Sequence, residues 1–172
     1  PNLGNYNPII QLVAPNKLQL AIINSSYNPS DKTTINGEIA FSQNDLNLFS
    51  AIDDDNNDGY AGKFKMNQSI IKNDSLWNLD VFAQGDVIHD NFATIQQLYN
   101  IEFNRDWNLE APMGNQSLFV SGVNVSHPQK GIFTYKFEHL NYADNYNGNR
   151  HTSLADFSFN KLNIFSNTSF GS

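Results

Sequence analysis

Apolar and polar residues alternate along most of this chain with a period of two. In "TTINGEIAFS", Ile35, Ile39 and Phe41 fall on one side, and Thr34, Asn36, Glu38 and Ser42 on the other. "KLQLAIIN" aligns Leu18, Leu20 and Ile22. "GKFKMNQSI" sets Phe64, Met66 and Ile70 against Lys63, Lys65, Asn67 and Ser69. "SLWNLDVFAQ" sets Trp77, Leu79, Val81 and Ala83 against Asn78, Asp80 and Gln84, and "GIFTYKFEH" sets Phe133, Tyr135 and Phe137 against Thr134, Lys136 and Glu138. Successive side chains of a strand point to opposite faces, so each stretch predicts a strand with one apolar and one polar face. Two stretches break phase. "SLFVSGVNVS" slips near Gly122, which reads as a bulge. "SLADFSFNKLNIFSN" puts Ala155, Phe157 and Phe159 on one face and Leu162 and Ile164 on the other, which reads as a bulge or as two strands.

The intervening pieces, such as "SSYNPSDK", "DDDNNDG", "APMGNQ", "HPQKG" and "NYADNYNGNR", are rich in Asn, Asp, Gly and Pro and suit turns. Within "NFATIQQLYN" a short helix competes with loop, with Asn91 as cap and Phe92, Ile95 and Leu98 on one face. Pro8 and Pro15 disfavour a central strand near the start, so residues 1–16 are expected to be irregular. The expected fold is all-β: an antiparallel meander of about eight to nine strands, forming one domain over residues 1–172. Either a β-sandwich or jelly roll, with apolar faces meeting inside, or a β-barrel segment, with apolar faces toward lipid, satisfies the alternation. The stripes cover about 5–8 residues, short of the roughly 9–11 of a membrane-crossing strand, which leans toward a sandwich. An aromatic content of 13% and a charged content of only 16% lean back toward a barrel.

The net charge of −7 argues against nucleic acid as a partner, because phosphates call for a basic patch. There is no cysteine, hence no disulfide or thiolate chemistry. No apolar run is long enough for a transmembrane helix. The chain opens "PNLGNYNPII", without an initiator Met or a leader, and is expected to be a processed chain or an excised segment.

The stretches "GEIAFSQNDLNLFSAIDDDNNDGYAGKFKMN", "NFATIQQLYNIEFNRDWNL" and "YKFEHLNYADNYNGNRHTSLADFSFNKLNIFSNTSF" resemble segments of large β-rich surface or outer-membrane proteins of Bacteroidota. The likeness covers most of residues 37–170 and lies in texture and short phrases such as "EFNRDWNL" and "YNGNRH". It carries no catalytic motif. It implies a location at the cell surface more than an activity.

Three candidate sites stand out. In "AIDDDNNDGYAGK", Asp53, Asp54, Asp55, Asn56 and Asp58 are candidate calcium ligands, because crowded carboxylates repel one another and a cation relieves that. An EF-hand does not fit: counting from Asp54, Lys65 stands where the bidentate Glu belongs. The competing reading is a solvated hairpin tip. Trp77, Trp107, Tyr142 and Tyr146 are candidate platforms for stacking on a sugar. In "EFNRDWN", Glu102 and Asp106 share a face if the stretch is a strand, as a glycosidase pair would. The competing reading is an Arg–carboxylate ion pair with Trp107 in the core. Because Arg105 and Arg150 are the chain's sole arginines, Arg105 is expected to have a dedicated partner. His89, His127, His139 and His151 show no metal-ligand spacing.

These readings lead to a non-enzymatic, β-rich surface or outer-membrane protein with a structural or assembly role. The alternative is a secreted carbohydrate-binding β-sandwich, stabilised by calcium if by any metal. The expected partners are other envelope proteins or glycans.

Overall fold

The computed structural model describes residues 13–52, 54–73, 75–143 and 145–172. Eight strands form one antiparallel sheet in chain order: β1 (Lys17–Ser30), β2 (Thr33–Asp45), β3 (Asp58–Ile71), β4 (Asn78–Ile88), β5 (Gln116–His127), β6 (Gly131–Tyr142), β7 (Tyr146–Phe159) and β8 (Leu162–Gly171). Each strand pairs with its chain neighbours, and among the described residues β1 and β8 do not pair with each other. The all-β meander expected from the alternation is therefore the observed fold. Residues 13–16 precede β1 without regular structure, and residues 1–12 of the expected irregular segment lie outside the described residues.

The strands are longer than the apolar stripes suggested. They run for 10 to 14 residues rather than 5–8. The stripes stop where Ser, Gly, Asn or Thr replaces an apolar residue, but the ladder continues because backbone pairing is indifferent to side-chain polarity. At roughly 3.3 Å per residue, every strand reaches the length of a membrane-crossing strand. Among the described residues no helix is long and apolar enough to cross a membrane, which says nothing about strands.

The first phase break resolves differently from expectation, and the second as one of its two expected alternatives. β5 passes through Gly122 with unbroken pairing to β4 and β6, so there is no bulge there. Gly122 lies directly opposite Phe82, and a Cβ at Gly122 would run into the Phe82 ring and the Tyr135 carbonyl oxygen. The glycine makes room for an aromatic ring from the next strand. The register shifts fall instead between Tyr27 and Ser30 and between Ser69 and Ile71. The second phase break is a hairpin between β7 and β8, turned at Asn160 with φ 49°. Its short turn puts Phe157 opposite Ile164 and Phe159 opposite Leu162, so all four share a face. The two-strand alternative is therefore the observed one, and the hairpin brings the two apolar sets back into phase.

The two ends of the sheet differ. At one end the chain reverses tightly, from Ser30 to Thr33, Ile71 to Asn78, His127 to Gly131 and Phe159 to Leu162. At the other, Asp45 to Asp58 and Ile88 to Gln116 are long connections, and only Tyr142 to Tyr146 is short. The longest connection contains α1 (Phe103–Asp106), one helical turn that follows Glu102. The helix considered over 91–100 is absent. Those residues form turns and bends, and the helical turn lies just downstream.

Candidate functional site

The antiparallel pairs fix which side chains share a face. One face runs from Ile23 and Tyr27 on β1 through Ile39 and Phe41, Phe64 and Met66, Val81 and Ala83, Val123 and Val125, Tyr135 and Phe137 and Ala155 and Phe157 to Ile164 and Phe170 on β8. It is bare. Ile23 is 65% exposed, Phe64 46% and Phe170 65%. The opposite face carries Glu38, Lys63, Lys65, Asp80, Asp86, Lys136, Glu138, Arg150 and Asp156. The other charged strand residues, Lys17, Asp45 and Asp58, lie on the apolar side but at its long-loop rim. Among the described residues, the apolar face between the rims holds no Lys, Arg, Asp or Glu.

Burial is concentrated on the polar face: Ala40, Ser42, Asp86, Gln116, Leu118, Val120, Glu138 and Leu140 are buried there, while His127 is buried at the turn end of the apolar face. What covers the polar face is the connection over 89–115. Its Ala93 N–H donates to Ser42 Oγ on β2 at 3.0 Å. The backbone at Asn91 and Phe92 lies so close over β3 that no Cβ fits at Gly59. Gln116 Nε2 on β5 donates to Tyr99 Oη, and the Tyr142 hydroxyl on β6 donates to Gln116 Oε1, both at 2.9 Å. The Tyr146 hydroxyl on β7 donates to the Trp107 carbonyl at 2.6 Å. The connection thus spans the polar face from β2 to β7. Trp107, Leu118, Val120 and Leu140 form the small apolar core beneath it, edged by Phe82, Tyr99, Phe103 and Leu109.

Charge is paired within this layer. Arg150 Nε donates to Glu138 Oε2 at 2.7 Å, Lys136 Nζ lies 3.1 Å from Glu138 Oε1, and the Arg150 guanidinium sits 4.6 Å from the centre of the Trp107 ring. Across the sheet, Asp86 accepts from Gln84 Nε2 and has Lys63 Nζ at 3.8 Å, beside a hollow of about 70 Å³ lined in part by Glu38, Leu98 and Tyr99. The Tyr99 hydroxyl is pushed above its ordinary pKa of 10.0, first by burial and then by the Asp86 charge.

The candidate residues divide accordingly. Trp107, Tyr142 and Tyr146 come together in the covered layer, with Trp107 only 4% exposed, so its ring is spent on packing and on Arg150 rather than offered to a ligand. Tyr142 and Tyr146 meet edge to face with centroids 6.5 Å apart. Trp77 is at the opposite end of the sheet, against His127 and Phe157, with Lys130 Nζ 5.9 Å from its ring. Glu102 and Asp106 are not strand neighbours: they flank α1, where Glu102 pairs with Arg105 at 2.8 Å. That pair is exposed. Arg105 thus has the carboxylate partner expected of it, and the other arginine, Arg150, stands on the polar face opposite the buried Glu138.

Asp54, Asp55 and Asn56 form a 3-10 turn on the connection between β2 and β3, and Asp58 opens β3. Asp54, Asp55, Asn56 and Asp58 are exposed, and Asp54 Oδ1 accepts from Asn57 Nδ2 at 2.9 Å. Asp53 lies outside the described residues. Among the described residues no three His, Cys, Asp or Glu side chains come together to hold a metal.

Gln116, Glu138 and Asp86, the buried polar residues of this layer, were not singled out by the sequence pattern. Each appears in the sequence as an ordinary polar position of an alternating strand, and only the long connection folding over that face makes it buried. No protein-family model, no curated protein and no solved structure matches the chain.

Proposed function

We propose that the chain is a wall segment of an outer-membrane β-barrel, a structural rather than catalytic element of the cell envelope, with residues 89–115 folded against the lumen side. The observation that carries this reading is the partition of charge: every charged strand side chain between the rims is on one face, while the other is an exposed band of Ile, Val, Phe and Tyr. In water such a band is an aggregation liability. Against hydrocarbon it is the required surface, with the polar face toward the lumen. Strand length fits the same setting, and so does the contrast between tight reversals at one end and long connections at the other, the pattern of short periplasmic turns and longer outer loops. On this reading the aspartate-bearing connection between β2 and β3 faces the outside, and the partners are lipid and other envelope proteins.

The test is lipid contact. In a Trp77→Phe background, Val81→Trp on the apolar face should add fluorescence that bromine-labelled phospholipid quenches after reconstitution, while Trp107 in the same background without Val81→Trp should not be quenched. No quenching of the fluorescence added by Val81→Trp, in a protein that is monodisperse in plain buffer, would overturn the reading.

A further inference from the structure

The eight strands leave two edges, and the 89–115 connection limits how they can be closed. We infer that these strands are an arc of a barrel wider than eight strands, with β1 and β8 each continued by further antiparallel strands that are apolar on the face of Ile23 and Ile164. The inference rests on the barrel reading above and adds its width and the chemistry of its partner.

Closing β8 directly onto β1 would make an eight-stranded barrel. The interior of such a barrel is about filled by the side chains of its own wall. Here the polar face already supports a second layer of chain. That layer holds a helical turn and the side chains of Tyr99, Phe103, Trp107 and Leu109, and it is anchored from Ser42 on β2 to Arg150 on β7. It is also built in: Gly59 is bare where the Phe92 backbone crosses it, and the Trp107 carbonyl accepts from Tyr146. An eight-stranded lumen has no room for this layer, so closure requires more wall.

The edges show the same need. β1 and β8 have 14 and 10 residues, and their outward N–H and C=O groups have no strand beside them among the described residues. In hydrocarbon such groups must be paired, and only a neighbouring strand pairs a whole row of them. Near the β1 edge the polar face also turns apolar, with Leu18 and Ile22 exposed, as does Phe165 on β8 at 70%. Added strands would continue the wall around these side chains. The occupant is therefore a strand that alternates in step with the wall, not a soluble protein or a lipid chain.

The test labels Asn24 on β1 and Asn167 on β8 with spin labels through cysteines, which the chain otherwise lacks. The full chain is examined in envelope membranes of the producing cell. The ladder fixes no register between β1 and β8, so the β1 label is moved through Leu20, Asn24 and Ser26: direct closure would bring one of these backbones to roughly 5 Å from Asn167, whereas each added strand inserts a further step of about 4.8 Å and a wider wall should leave all of them beyond about 10 Å. Hydrogen exchange of the β1 and β8 amides is read on the same sample. A long distance with protected edge amides is the expected result. A short distance would overturn the inference in favour of eight-strand closure, and a long distance with unprotected edges would overturn it by leaving the edges without partners. Neither outcome depends on the bromolipid result, so the barrel reading and its width fail separately.

Discussion

Arg150 and Glu138 stand directly opposite each other on β7 and β6, and the Arg150 Nε–H donates to Glu138 Oε2 at 2.7 Å. Glu138 is 5% exposed, so its charge has little water to fall back on. Arg150→Met would leave a buried carboxylate with Lys136 as its nearest cation and would uncover the Trp107 ring. Breaking a buried pair by removing one partner costs about 3–5 kcal/mol, and the surviving lysine puts this case at about 3. Denaturant unfolding in a bilayer or detergent should read that loss, and Arg150→Lys should restore only part of it because the stacked, directional fork is gone. An Arg150→Met protein as stable as the parent would mean the pair contributes nothing to the wall.

Gly59 fixes the connection over 89–115 to β3 by having no side chain. Gly59→Val would push the Phe92 backbone off the sheet, an overpacking cost of about 1–3 kcal/mol. The strands should survive, since the altered face of β3 is also held through β2 and β4. Limited proteolysis should therefore cut within residues 89–115 faster while the β-sheet signal is retained. Unchanged protease resistance would show that the lumen layer is not seated through Gly59.

The strands were legible in the sequence and their packing was not. Alternation identified Ile35, Ile39 and Phe41 as one face and Phe133, Tyr135 and Phe137 as another, and the ladder places them together on the same bare surface. Period-two patterning cannot say whether an apolar face meets another sheet or stays open, because both need the same residues. Strand length was underestimated at Ser, Gly and Thr positions, which break the apolar stripe without breaking the backbone ladder. The candidate residues fared likewise. Trp107 and Tyr146 were singled out for their rings, but the hydrogen bond from Tyr146 to the Trp107 carbonyl joins residues 39 positions apart and leaves no local signature. Arg105 was expected to have a carboxylate partner within its loop, with Trp107 in the core, and it pairs with Glu102 while Trp107 is buried; the buried ion pair of Arg150 with Glu138 depends on a register known only from the ladder.

Tyr99 provides a pH dependence. Burial, reinforced by the Asp86 charge, raises its hydroxyl above the ordinary value of 10.0, so the folded state holds that proton more tightly than the unfolded chain. The corresponding stabilisation is complete below pH 10 and is lost as pH rises through the raised folded value. Tyr99 should be among the last tyrosines to ionise in a phenolate absorbance titration. Tyr99→Phe should flatten the decline in stability above pH 10, at the expense of the bond from Gln116. A decline of equal steepness in the variant would place its origin elsewhere.

The two faces make opposite predictions for the same substitution. Phe64 is 46% exposed in the middle of the apolar band, and in water an arginine at so exposed a position should change stability by no more than about 0.5 kcal/mol. Against the hydrocarbon interior, Phe64→Arg should cost about 2–4 kcal/mol, the penalty for arginine near the bilayer midplane of a barrel wall. Asn24→Arg, on the polar face opposite Glu38, should be close to neutral in either setting. Unfolding of the variants from phospholipid vesicles measures both. A large loss at Phe64 with none at Asn24 is the signature of a wall with lipid on one side and a polar lumen on the other, and equal small effects at both positions would place the sheet in water.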